Sequence, residues 1–373
     1  MTAPAAPTAD PGDERWARVA LSFLVEPRNA VLRDLLPREG GAAVLAAIRE
    51  GRGRVGELGV RLGELDLDAL AREVRRRRLR VVVPDDPDWP PALDRLLHPP
   101  YCLYVAGDLD LGLLGERSVA VVGSRICTEY GREVATELGD GLARRGWVVV
   151  SGAAAGIDAA AHRGALAAEG DTVAVLACGL DRAYPTQNTA LIAQIGRTGA
   201  LVAEVPPGAL PLPRRFLARN RLIAALARAT VVVEAGLRSG SLSTAREARD
   251  LHLPVGAVPG PVTSAVSAGT HQLVREYGAD LVTDAAEVLE LAAPVGAELA
   301  PLRRGESRVT DGLSALEQDV LAAAPRRRWA EVPRLAVLSG VDPGRVPAAL
   351  AVLEMLGLLE RDGDRWRRTA SPP

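Results

Sequence analysis

The sequence predicts an α/β protein: a doubly wound, mostly parallel sheet, with a small N-terminal helical domain before it and a C-terminal winged-helix domain after it. Three observations carry that expectation. From Ser118 to Leu291 an apolar strand, a Gly-rich turn and a helix repeat in that order. From Trp16 to Leu79 apolar residues recur at helical spacing, with breaks at Pro27, Pro37 and Gly51 to Gly59. From Leu313 to Trp366 three helical runs precede a tight hairpin at Asp362-Gly363.

Taken in order, residues 1–12 read as a disordered tail and residues 13–80 as the helical domain. That domain ends in the basic run Arg75 to Arg78, whose cations suit a helix C-terminus. The sheet domain spans 81–291. Short strands at 81–83 and 101–105 flank Trp89-Pro90-Pro91, and further strands fall near 119–122, 147–150, 172–176, 200–204, 230–234, 255–258 and 280–282. Residues 292–309, with Pro294, Pro301 and Gly305, form a linker. The winged-helix region covers 310–369, with helices near 313–323, 330–339 and 343–356.

Composition removes several classes of chemistry. The chain has 373 residues, 48% of them apolar but only 3% aromatic, so its core is Ala, Val and Leu. Net charge is −2, so any nucleic-acid site is a local patch rather than a global field. Every strongly basic side chain is arginine. A P-loop lysine, a Schiff base and a lysine general base are therefore excluded. Cys102, Cys127 and Cys178, and His98, His162, His252 and His271, lack metal-ligand spacing. We expect no metal, no cofactor and no disulfide. The N-terminus lacks a signal pattern and no apolar run approaches membrane-spanning length, so a cytoplasmic protein is expected.

Two devices for holding phosphate stand side by side between Phe216 and Ala248. Arg214, Arg215, Arg219 and Arg221 form a run of forked guanidinium groups with no acid among them. After a buried strand, Arg238-Ser239-Gly240-Ser241 leads into a helix, whose N-terminus offers N–H donors and a favourable dipole. Similar turns occur earlier, at Gly123-Ser124-Arg125 and at Ser151-Gly152 through Gly156-Ile157-Asp158. In a parallel sheet such turns gather at the carboxyl edge of the strands, where open α/β folds bind ligands. Several residues also have plain readings. Asn220 serves as an N-cap, Asp158 caps a helix, His162 packs in the core, and Phe216 either stacks on a base or anchors a loop.

These residues resemble the DprA/Smf family, the DNA-processing proteins of natural transformation. The resemblance runs from about Trp89 to Leu291. It rests on Val121-Val122-Gly123-Ser124-Arg125, on Ser151-Gly152 with Gly156-Ile157-Asp158 and Ala161-His162, and on Arg219-Asn220-Arg221-Leu222-Ile223-Ala224. Ser239-Gly240-Ser241 with Thr244-Ala245, and Val258-Pro259-Gly260, complete it. The resemblance implies an extended Rossmann-like domain, flanked by a helical (SAM/helix-hairpin-helix-like) domain and a winged helix. It implies a non-catalytic homodimer that binds single-stranded DNA and loads the recombinase RecA. The implied contact residues are Gly123, Ser124, Arg125, Ser151, Gly152, Gly156, Phe216, Arg219, Asn220, Arg221, Arg238, Ser239, Gly240 and Ser241. The chain departs from the family at Ala155, commonly arginine, and at Leu217, commonly proline. The first removes a phosphate contact; the second loosens the loop expected to carry Arg219.

Two other readings come from different classes. Gly240-Ser241-Leu242-Ser243-Thr244-Ala245-Arg246-Glu247 has the layout of the G-G-x-G-T-x-x-E motif of phosphoribohydrolases, with Glu247 at their catalytic position and serines replacing two glycines. A transcription regulator would read bases with Pro343 to Met355, which is apolar and poor in base-reading side chains.

Overall fold

The computed structural model describes residues 9–301 and 309–370. The chain divides into two compact units, 1–300 and 301–373. Most of the expected tail (residues 1–8) and part of the expected linker (residues 302–308) lie outside the described residues. Ala9 is buried, and its N–H donates to Asp68.

The first unit opens with α1 (Glu14–Leu24), α2 (Ala30–Arg49) and α3 (Leu67–Arg76). Asp13, Asn29 and Asp66 cap their N-termini by accepting from first-turn N–H groups. The break expected at Pro37 falls three residues later, where Gly40 takes φ 78° inside α2. These helices close a core of Leu21, Leu32, Val44, Leu45 and Ile48 with Tyr101, Cys102 and Tyr104. The helical layer therefore packs directly on the edge of the sheet.

Among the described residues the sheet has nine strands: β1 (Arg80–Val82), β2 (Leu103–Ala106), β3 (Ser118–Val122), β4 (Val148–Ser151), β5 (Thr172–Leu176), β6 (Ala200–Ala203), β7 (Ala229–Val232), β8 (Val255–Ala257) and β9 (Asp280–Leu281). Their order is β1-β2-β6-β5-β4-β3-β7-β8-β9. The pairs from β6 across to β9 are parallel, while β1–β2 and β2–β6 are antiparallel. Connecting helices are α4 (Glu129–Ala143), α5 (Ile157–Ala167), α6 (Thr189–Thr198), α7 (Pro213–Ala225), α8 (Ser241–Asp250), α9 (Ala268–Tyr277) and α10 (Ala285–Ala292).

Alternation along β3 shows why helices cover both faces. Val119 and Val121 face α4, α5 and α10, while Ala120 and Val122 face α7 and α8. The chain builds β3 to β6 outward on one side, then returns to place β7 on the other side of β3. That reversal is the switch point at which such sheets leave a crevice at their carboxyl edge.

The second unit holds α11 (Ala315–Ala323), β10 (Ala330–Glu331), α12 (Val332–Ser339), α13 (Val346–Met355), β11 (Leu359–Asp362) and β12 (Arg365–Arg368). Its strands form an antiparallel sheet in the order β10-β12-β11. Ser314 and Glu317 make a capping box at α11. Trp366 is buried with Leu335, Val346 and Leu350.

Candidate functional site

A groove of about 630 Å³ opens between the carboxyl ends of β3 and β7. The turn after β3 contributes Gly123, Ser124, Arg125 and Ile126. The face of α7 contributes Phe216, Leu217, Arg219 and Asn220, and the start of α8 contributes Ser239, Gly240, Ser241 and Thr244. The N–H of Ser124 donates to the Glu234 carbonyl at 2.7 Å, tying the two strand ends together. Glu234 in turn accepts from the Thr128 N–H and fixes the start of α4. The groove thus brings together nine of the expected contact residues.

Its floor is Arg219, which is 5% exposed. One guanidinium nitrogen donates to the Val175 carbonyl at 2.6 Å, and Nε is buried with no hydrogen-bond partner. Burial pushes the Arg219 guanidinium down to about 10, the Asp158 charge supports it, and the nearby Arg125 charge opposes it. Arg219 therefore stays protonated at neutral pH, desolvated and incompletely paired. Gly152 makes this possible, because a Cβ there would sit 1.8 Å from the Arg219 Nη1.

Asp158 is the carboxylate of the groove lining among the described residues. It accepts from the N–H groups of Gly152 (3.2 Å) and Ala154 (3.4 Å), so it shapes the turn after β4. Burial raises its pKa, against the Arg219 charge and those amides. His162 is fully buried against Thr172 and pushed down to about 3 by burial and the Arg219 charge. It is a neutral packed histidine.

The rim is aromatic and cationic. The Arg125 guanidinium lies 4.8 Å from the Phe216 ring centroid. Tyr184 meets the other side of the cluster, its ring 5.7 Å from Phe216 and tilted by 53°. Across the groove, the Ser239 and Ser241 hydroxyls lie 2.8 Å apart, and Asn220 donates to the Gly240 carbonyl at 3.2 Å. The start of α8 is less open than expected. The N–H groups of Leu242 and Ser243 already donate to Ser239 and Gly240 carbonyls.

Several expected contact residues lie elsewhere. Ser151 is buried and donates to the Val121 carbonyl at 2.6 Å. Gly152 lies beneath Arg219, and Gly156 borders a neighbouring hollow. Arg238 is exposed outside the groove lining.

The arginine run resolves into separate roles. Arg219, Asn220 and Arg221 sit inside α7, not in a loop before a helix, because Pro213 starts the helix early. Leu217 is accordingly a helical position, and Asn220 is not a cap. Arg221 is 2% exposed and grips the Glu204 carboxylate with both terminal nitrogens, one at 2.8 Å. Arg214 and Arg215 both bind Glu26, from the connection between α1 and α2. Burial disfavours the Glu26 charge, but hydrogen bonds and charge from Arg215 and Arg214 outweigh it and hold Glu26 at about 2. Tyr184 went unrecognised in the sequence, where a Tyr-Pro pair in a loop carries no specific signal.

Residues 80–293 match the family model of DNA recombination-mediator protein A. The chain belongs to that family. It is 46% identical over 375 residues to a DprA-type DNA processing protein of Mycobacterium tuberculosis, covering 96% of this chain and 95% of that protein. Among solved structures, it is similar to DNA processing protein A from Streptococcus pneumoniae (34% identity, TM-score 0.64), covering 76% of this chain and 98% of that one. It is also similar to DNA processing protein A from Helicobacter pylori (32% identity, TM-score 0.52), covering 57% and 96%. The latter structure describes a single-stranded DNA binding mode. Among the described residues no helix is long and apolar enough to cross a membrane, and no group of three His, Cys, Asp or Glu could hold a metal.

Proposed function

We propose that this chain is a cytoplasmic recombination mediator that binds single-stranded DNA without sequence preference and, as a homodimer, loads RecA onto it in natural transformation. The observation that carries the reading is Arg219. A buried guanidinium with an unpartnered Nε lies under a groove lined by serine hydroxyls and a helix start. A phosphate entering that groove would meet a guanidinium charge that the fold leaves incompletely paired. Arg125 with Phe216 and Tyr184 would offer the rim surface on which a base stacks, which any base can use. Exposed Arg238 would add charge along the strand. Ser151, Gly152 and Arg221 would act from behind, by holding the turns and α7 in place.

In this reading the protein breaks no bond and needs no cofactor. Glu247, the carboxylate of the phosphoribohydrolase alternative, lies outside the groove lining and pairs with Arg28 at 2.8 Å. Dimerisation and the RecA contact are assigned to 255–291, where Val274, Tyr277 and Leu281 are exposed apolar side chains. The second unit, with its helices followed by a hairpin, fits the winged-helix reading of 310–369. Arg125→Glu tests the assignment. The exposed side chain tolerates the change, so the variant should keep its circular dichroism spectrum and lose single-strand binding. Retained binding would remove Arg125 from the site.

A further inference from the structure

The groove does not stop at Arg125. Beyond it lies a second hollow of about 340 Å³. Arg125 and Ile126 line both, so the two are contiguous across a ridge on which Ile126 is 85% exposed. The second hollow adds Arg132, Arg163 and Gln187 around the Ala155-Gly156 turn, and its lining has no carboxylate among the described residues.

Packing of α4 on α5 brings the two new arginines together. A Cβ at Gly164 would lie 2.0 Å from the Thr136 carbonyl oxygen, and one at Gly139 would lie 2.2 Å from that of Ala161. Both positions must be glycine for the helices to approach so closely. Arg132 sits one turn before Thr136, and Arg163 precedes Gly164. Arg163 has no hydrogen bond or ion pair among the described residues. Arg132 has Glu129 at 3.5 Å with both side chains exposed, a pair of little energetic consequence. Ala155 leaves the turn between them without bulk or charge of its own.

We propose that this hollow is a second phosphate subsite, in which Arg132 and Arg163 hold the phosphodiester backbone of a single strand after it crosses the ridge from the groove. The inference rests on the proposed function. It adds a footprint that the groove alone does not give. Two guanidinium forks facing a hollow without acids suit phosphate oxygens, and Arg125 is shared by both subsites.

The test measures binding of labelled oligothymidylates of about 4 to about 20 nucleotides across a salt series, which spans the roughly 4–16-nucleotide site sizes of single-strand binding folds. Wild type is compared with the double variant Arg132→Gln, Arg163→Gln. The shortest strands, which fill only the groove, should bind both proteins alike. On long strands the variant's log–log salt slope should be shallower by about 1.4, from about 0.7 per phosphate on single strands. Adding Ala155→Arg to the variant should restore part of that difference, since it returns a cation to the same hollow. Equal slopes at every length would overturn the subsite and leave the groove standing. Weakened binding of the shortest strands by the double variant would also overturn it, because the arginines would then belong to the groove. Two short strands bound per wild-type protomer would reassign the hollow to a separate strand and overturn the continuous path. Wild type that binds no single strand at any length would overturn the proposed function itself, and the subsite with it.

Discussion

Replacing Arg221 by alanine should unfold the protein more readily rather than simply empty a DNA site. The side chain is 2% exposed, and its partner Glu204 is 7% exposed. Removing it leaves the Glu204 carboxylate buried and unpaired, a loss of about 3–5 kcal/mol. The His98 and Ala218 carbonyls, now accepting from Arg221 at 2.9 and 2.6 Å, would lose their donor as well. With a urea dependence of about 1–3 kcal/mol per molar, the unfolding midpoint should fall by at least about 1 M. Arg125→Ala, at an exposed position, should stay within about 0.5 kcal/mol of wild type. Arg221→Met combined with Glu204→Leu should recover most of the stability, because it removes both charges together. Urea melts followed by circular dichroism, with single-strand binding measured on folded protein, read both properties. An Arg221→Ala variant that keeps the wild-type midpoint but loses DNA binding would refute the structural assignment.

Acid should loosen the anchor between the helical layer and α7. Glu26 ionises at about 2 in the fold against an ordinary 4.5. Its lowered pKa means that its contribution is full above 4.5 and lost as pH falls through about 2. Glu26→Gln should therefore flatten the decline of stability across that window, seen in melts at stepped pH. Glu247→Gln should bind single-stranded DNA as wild type does, and neither protein should release base from adenosine monophosphate by chromatography. Base release that vanishes in Glu247→Gln would favour the enzyme reading. A truncation after Ala292 should still dimerise and bind DNA by light scattering and mobility shift. A monomeric truncation would move the interface into the C-terminal unit.

The sheet was legible because its strands are short Val- and Ala-rich runs ending in Gly/Ser turns. From 118 to 282 the observed strands fall within a residue or two of those read from the sequence, whereas the short strand Ala330–Glu331 occupies the start of a stretch read as helix. The gathering of Gly123, Arg125 and Ser239 at one edge also followed from parallel topology alone. What the sequence did not reveal is where each arginine points. Arg214 and Arg215 look unopposed locally, yet their acid, Glu26, lies nearly two hundred residues earlier. Arg219 and Arg221 differ by two positions on one helix. That separation turns one to the groove and the other to Glu204. Ser151 looked like a phosphate donor, but its place at the end of a buried strand gives its hydroxyl a carbonyl partner.

The most direct test of the account is competition between single-stranded and duplex DNA of one length across a salt series. A shallow groove of serines and arginines, rimmed by Phe216 and Tyr184, suits a flexible backbone with unstacked bases. The single strand should bind at least about tenfold tighter, a difference of about 1.4 kcal/mol. Its log–log salt slope should be about −3 or steeper, for about four phosphates or more per protomer. Equal affinity for duplex, or binding indifferent to salt, would contradict the account.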